Sequence, residues 1–228
     1  MDLIFYMEII GTIVFAMQGS RVAIERKLDI LGIMILGLST AVGGGMIRDI
    51  ILGNTPPAMF INPIYCIVAT VTVVVVIATY KYQAKMIGSE KYPYIVMLLN
   101  LSDAIGLGIF TVVGANISIG RGYADNIFLC SFVGVMTGVG GGILRDVLAN
   151  RTPIVLQKEI YAVASIIGAI SYCYLNKWIP HNIALYLAVA IIVVIRMVAV
   201  YKDMHLPAVI HEEVGIACYE SEGMIDQI

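Results

Sequence analysis

"TAVGGGMIRDIILGNTP", residues 40–56, decides how this chain is read, because it returns as "TGVGGGILRDVLANRTP" at residues 137–153. In each copy, three consecutive glycines and an Arg-Asp pair lie inside a strongly apolar stretch. A glycine weakens a helix by about 1 kcal/mol relative to alanine, and an ionised side chain in hydrocarbon is costly. An arrangement this unfavourable, present twice, needs a use.

Extending the alignment sets 37–56 over 134–153 with ten of twenty positions identical, including GGG, RD and TP at one offset of 97 residues. The helices ahead of them match at an offset of 95: "EIIGTIVFAMQG" over "DAIGLGIFTVVG" keeps an acid, then Gly, Phe and Gly at four-residue steps. Shared charged and turn residues are not explained by two apolar helices resembling each other by chance. The chain contains a duplicated unit of about three helices.

The surroundings say what solvent these helices meet. Of 228 residues, 60% are hydrophobic and 13% charged, where a soluble domain has about a quarter charged. Crossing a hydrocarbon core takes roughly 20 mainly apolar residues. Seven segments qualify, near 3–20, 30–52, 62–80, 94–117, 126–148, 158–176 and 182–201. The expected class is an all-α polytopic membrane protein, with two three-helix repeats and a seventh helix. The divisions are 1–91 for the first repeat, 92–178 for the second, 179–202 for the last helix and 203–228 for a tail. An odd number of crossings per repeat sends the second copy through the membrane from the opposite face. The first segment has Asp2 in place of a basic leader and no clear cleavage site, so it is expected to stay as a helix.

Lys and Arg favour alternate loops. Arg21, Arg26, Lys27, Lys81, Lys85, Lys91, Arg151, Lys158 and Lys202 fall on one side, and Arg121 and Lys177 on the other. The positive-inside rule then puts the amino terminus outside and the carboxyl terminus in the cytoplasm. The tail holds six acids (Asp203, Glu212, Glu213, Glu220, Glu222, Asp226) and no Lys or Arg; removing its six negative charges from the overall −2 leaves +4 on the core. It reads as a solvated acidic segment. Cys66, Cys130 and Cys173 fall in the spans and Cys218 in the tail, with no metal or redox spacing, and His181, His205 and His211 lie outside the spans. No metal site, cofactor or nucleic-acid partner is expected.

The glycines admit three readings. A nucleotide loop is rejected, because "GVGGGILRD" has Ile143 where G-x-G-x-x-G needs its last glycine. Helix packing is supported by the four-residue spacing of Gly134, Gly138 and Gly142 and of Gly37, Ala41 and Gly45. Gly43 and Gly44, with Gly140 and Gly141, exceed what one packing face requires, so a break or kink beside a polar cavity is also expected at Gly43–Gly45 and Gly140–Gly142. Arg48 and Arg145 lie one turn beyond, followed directly by Asp49 and Asp146. Adjacent helical residues point about 100° apart, so each Arg is expected to meet a carboxylate on another helix. Glu8 and Asp103, equivalent in the two copies, are the natural partners or cavity acids; Arg196, in the last span, has no local partner. Interfacial snorkelling would explain any one of these charges, but as a symmetric set they point to a polar pathway.

The doubled GGG-x-x-RD, with G-x-x-x-F-x-x-x-G ahead of each copy and "RMVAVYKDMHLP" at 196–207, resembles the prokaryotic branch of the trimeric intracellular cation (TRIC) channel family. The resemblance covers about residues 5–207. It implies a homotrimer in a prokaryotic cell membrane, each subunit with its own hourglass pore for K⁺ and Na⁺, constricted where the second and fifth spans kink at their glycines. The Lys-Glu-Val stretch of the family's animal members is missing here, so their gating and phosphoinositide contacts are not implied. Beside the channel stand a secondary transporter of a small metabolite such as glycine, and a structural or lipid-organising protein. No nucleophile–base pair or metal cluster supports an enzyme, and Ser39, Thr40 and Thr137 read as helix hydrogen-bonders.

Overall fold

The computed structural model describes residues 3–86, 92–157 and 160–202. All regular structure among them is helical: α1 (Leu3–Glu25), α2 (Ile30–Ile51), α3 (Ala58–Ile61), α4 (Ile64–Met86), α5 (Tyr92–Ser118), α6 (Ile127–Leu148), α7 (Ile154–Gln157), α8 (Ile160–Trp178) and α9 (His181–Tyr201). A π turn, Ile119–Tyr123, extends α5. Five helical stretches are long and apolar enough to cross a membrane: Leu3–Glu25, Ile30–Ile51, Val96–Tyr123, Ile127–Leu148 and His181–Tyr201. The two other expected segments fall on α4, apolar over Ile64–Tyr80, and on α8. The short helices α3 and α7 and the π turn were not expected. The acidic tail lies outside the described residues.

Hydrocarbon supplies no hydrogen bonds, so helix ends must be closed locally. Asp29 caps α2 by accepting from the Gly32 amide at 2.7 Å, and Asn126 caps α6 by accepting from Leu129 at 3.0 Å. At the other ends, Asn54 N–H donates to Asp49 O and Gly53 N–H to Ile50 O, while Arg151 N–H donates to Asp146 O and Asn150 N–H to Val147 O. These are paired Schellman closures, which require a left-handed residue after the cap. Gly53 (φ +69°) and Asn150 (φ +50°) supply it, Asn being the residue other than Gly that best tolerates it.

Two crossings organise the core. Where α2 meets α6, a β-carbon on Gly44 would strike the carbonyl of Thr137, and one on Gly141 the carbonyl of Thr40. These pairings run in opposite chain directions, so α2 and α6 lie antiparallel, backbone against backbone. Gly43 sits under Leu144 and Gly140 under Ile47, again as matched positions. Where α1 meets α5, Gly11 makes room for Phe110 and Gly106 for Phe15, and the two rings lie 5.0 Å apart at 55°. The duplicated residues thus meet their own counterparts across the molecule. Apolar clusters fill both sides, one around Phe15, Leu36 and Val73, the other around Leu107, Val113, Tyr172 and Ile192.

No break is found at the triplets, and more glycine faces are packed than expected. The helical assignment of α2 and α6 runs unbroken through both triplets. The surplus glycines are spent on packing: Gly134 and Gly138 face Thr111 on α5, while Gly43, Gly44, Gly140 and Gly141 face the α2–α6 contact. Two faces of α6 are packed closely, where one was counted. Gly45 and Gly142 alone meet no packed wall, their nearest neighbours being the guanidinium ends of Arg48 at 3.8 Å and Arg145 at 3.7 Å.

Candidate functional site: two buried charge clusters

Beyond the α2–α6 crossing, α2 continues one turn to Arg48 and Asp49. Antiparallel α6 carries Arg145 and Asp146 toward the opposite end. Each pair becomes the centre of a cluster, and the two clusters are about 15 Å apart along α1, the rise over ten residues from Glu8 to Gln18.

In the first cluster, Arg48 Nη1 donates to Glu8 Oε1 at 3.1 Å and Arg48 Nε to Asp49 Oδ1 at 2.9 Å. Tyr65, at the start of α4, donates its hydroxyl to Glu8 Oε2 at 2.6 Å. Asp49 Oδ2 accepts from the Ala58 amide at 2.8 Å and so fastens α3 beneath the end of α2. Against this network lies a cavity of about 40 Å³ lined by Glu8, Thr12, Gly45, Arg48, Tyr65 and Phe110 among others. That is room for a water or a largely dehydrated ion. The formal charge of Glu8, Arg48 and Asp49 together is negative.

In the second cluster, Arg145 Nε and Nη2 donate to Asp146 at 2.8 and 3.1 Å, and Arg151 Nε donates to Asp146 Oδ1 at 2.7 Å. Asp146 Oδ2 accepts from the Ile154 amide at 2.8 Å, fastening α7 as Asp49 fastens α3. Arg145 Nη1 reaches Gln18 Oε1 on α1 at 3.0 Å. Asp103, on α5, is approached by Tyr161 Oη at 3.4 Å and by Arg196 Nη2 of α9 at 3.6 Å. The Arg196 guanidinium lies over the Tyr161 ring, 4.5 Å from its centroid, a cation–π contact.

The expected residues are therefore brought together, with altered partnerships. Glu8 meets Arg48 as anticipated. Asp103 does not meet Arg145 directly; it pairs with Arg196, which therefore has a partner after all. Each Arg also binds the Asp next to it in sequence, because a long guanidinium curls back across 100° of helix surface. The sequence reading missed Gln18, Arg151, Tyr65 and Tyr161. The tyrosines were findable, since "IY" at 64–65 and 160–161 follows each Pro at nearly the repeat offset. Thr40 and Thr137 donate to the carbonyls one turn back, Leu36 and Val133, both at 2.6 Å, as expected of helix hydrogen-bonders.

Long apolar helices, small-residue crossings and charged side chains buried inside the bundle (Arg48, Asp49, Arg145, Asp146 and Arg196) define an integral membrane protein with a polar interior. A family model described as "Glycine transporter" matches residues 5–81 and again residues 100–177, one match per repeat. The UPF0126 inner membrane protein YadS of Escherichia coli K12 is 35% identical over 93% of this chain and 99% of its own. The UPF0126 membrane protein YvgT of Bacillus subtilis is 36% identical over 88% and 94%. Among solved structures, a TRIC cation channel studied for its conductance superposes with a TM-score of 0.78, at 33% identity, over 91% of this chain and 97% of that one. The trimeric intracellular cation channel orthologue from Rhodobacter sphaeroides gives 0.78 at 30% identity over 90% and 100%. The chain belongs to this family, which unites the UPF0126 membrane proteins with the prokaryotic TRIC channels.

Proposed function

We propose that this protein is a monovalent cation channel for K⁺ and Na⁺, assembled as a homotrimer with a pathway inside each subunit. The observation that carries the reading is the pair of charge clusters flanking one glycine crossing, in a chain matching TRIC cation channels at a TM-score of 0.78. Seven crossings, formed by α1, α2, α4, α5, α6, α8 and α9, divide into inverted three-helix repeats and a last helix. The amino terminus lies outside and the carboxyl terminus in the cytoplasm. Cations enter the cavity beside Glu8, whose cluster bears net negative charge, and pass the layer formed by Phe15, Phe110 and the two glycine triplets. They leave by the Asp103 cluster. Gly45 and Gly142 face the pathway, and Gly43, Gly44, Gly140 and Gly141 hold the constriction, where α2 and α6 bend when it opens. Arg48–Asp49 and Arg145–Asp146 position the helix ends. No cofactor takes part, and the membrane lipids contact the apolar outer faces.

A second reading, a secondary transporter of a small metabolite such as glycine, is favoured by the family model's description and by charges of both signs in each cluster. Recording from the purified protein in a planar bilayer under a KCl gradient separates the two. Discrete openings reversing near the K⁺ equilibrium potential establish the channel. Silence, with saturable uptake of labelled glycine into liposomes, establishes the transporter.

A further inference from the structure

The two clusters occupy equivalent places in the repeats, yet they are held with unequal firmness. Glu8 is gripped at 2.6 and 3.1 Å by Tyr65 and Arg48, both from its own repeat. Its counterpart Asp103, one methylene shorter, meets Tyr161 and Arg196 only at 3.4 and 3.6 Å. Arg145, the counterpart of Arg48, has turned to the neutral amide of Gln18. In this second cluster the buried donor Arg196 Nε has no hydrogen-bond partner among the described residues, and Gln18 Nε2 reaches toward Asp103 without closing a hydrogen bond of good geometry. Unpaired buried donors are costly in a low dielectric, so this cluster is held less firmly than the fully bonded Glu8 cluster. The loose contact is also supplied by α9, the helix that the duplication does not include.

We propose that Arg196 on Asp103 is the latch of the gate: the end of the pathway at this cluster opens as α9 releases Asp103, while the Glu8–Arg48–Tyr65 end stays clamped. Arg196 is thus a positioning residue acting through Asp103, and the inference rests on the channel reading. Freed of Arg196, Asp103 keeps the Tyr161 hydroxyl but has lost its counter-charge, so it faces the pathway as a carboxylate attractive to a cation, and the Arg196 charge swings out of it.

The test is single-channel recording of the wild type, R196Q, D103N, the double variant, R196K and the charge exchange D103R/R196D. A latch of ordinary intramembrane strength predicts that R196Q, D103N and the double variant all raise the open-to-closed ratio by the same factor, about three- to tenfold. R196K stays near wild type, the charge exchange returns toward it, and the K⁺/Na⁺ permeability ratio does not move. Additive effects of the two single changes, or none, overturn the latch. Amide hydrogen exchange of α9 reads the same event without current. Faster exchange over residues 192–201 in R196Q and D103N but not in E8Q supports the latch, and equal exchange in all three overturns it. A wild type that passes no current while showing this exchange pattern counts against the channel reading alone.

Discussion

At the scale of the residue, position within a glycine triplet decides what each glycine does. An alanine at Gly44 would drive its methyl into a backbone carbonyl, which cannot turn aside as a side chain can. The expected cost of G44A, and of G141A by the matching contact, is about 1–3 kcal/mol, typical of overpacking. G45A meets only Arg48 Nη2, at an ordinary contact distance of 3.8 Å, and gains up to about 1 kcal/mol of helix propensity. Thermal unfolding of the purified protein in detergent should therefore rank G44A below wild type and G45A at or above it; equal midpoints for the two variants would refute the packing assignment. The charges differ in the same way. R48Q leaves two carboxylates, Glu8 and Asp49, without their shared cation, a loss of about 3–5 kcal/mol for a buried pair broken on one side. E8Q leaves Arg48 on Asp49 and costs clearly less, which denaturant titration of both variants would show.

At the scale of the element, each Asp of the RD pair is a fastening between helices. Its backbone carbonyl closes the Schellman turn and its carboxylate takes the first amide of the short helix that follows, at 2.8 Å in both copies. D146A removes the acceptor for Ile154 N–H and the partner of Arg145 and Arg151 together. Hydrogen bonds to a charged group contribute about 1.5–3 kcal/mol each. Hydrogen exchange should speed up over α7 (Ile154–Gln157) in D146A while α3 stays protected, and D49A should show the reverse. Exchange that spread equally to both would mean that the two ends are not independent.

At the scale of the whole molecule, matched residues meet across two antiparallel crossings, so a disturbance at one end has a defined counterpart at the other. Neither Arg of the RD pairs stands alone, since each is paired with its own Asp. The double variant R48Q/R145Q is therefore expected to change open probability or stability far more than K⁺/Na⁺ preference. Bilayer recordings with an unchanged open probability and a shifted reversal potential under mixed K⁺/Na⁺ would contradict this. Assembly is tested separately: crosslinking in the membrane should stop at three copies of the chain.

Much of this was legible in the sequence. Apolar length sets helices in a membrane because the solvent permits no other use of such segments, and the doubled RD, GGG and TP pointed without coordinates to the residues that gather in the two clusters. What the tertiary structure alone decided is partnership. A one-dimensional pattern says that Gly43 and Gly44 are unusual, but only the α2–α6 crossing shows that the Leu144 side chain and the Thr137 carbonyl, respectively, occupy the spaces their methyls would need. It lists Glu8 and Asp103 as equivalents, and only packing reveals that Asp103 pairs with Arg196 while Arg145 turns to Gln18. Gln18 had no pattern to betray it, since the second copy has Val113 in its place. Local composition determines which solvent a helix meets; who meets whom depends on contacts between residues 40 to 127 positions apart, which no periodicity encodes.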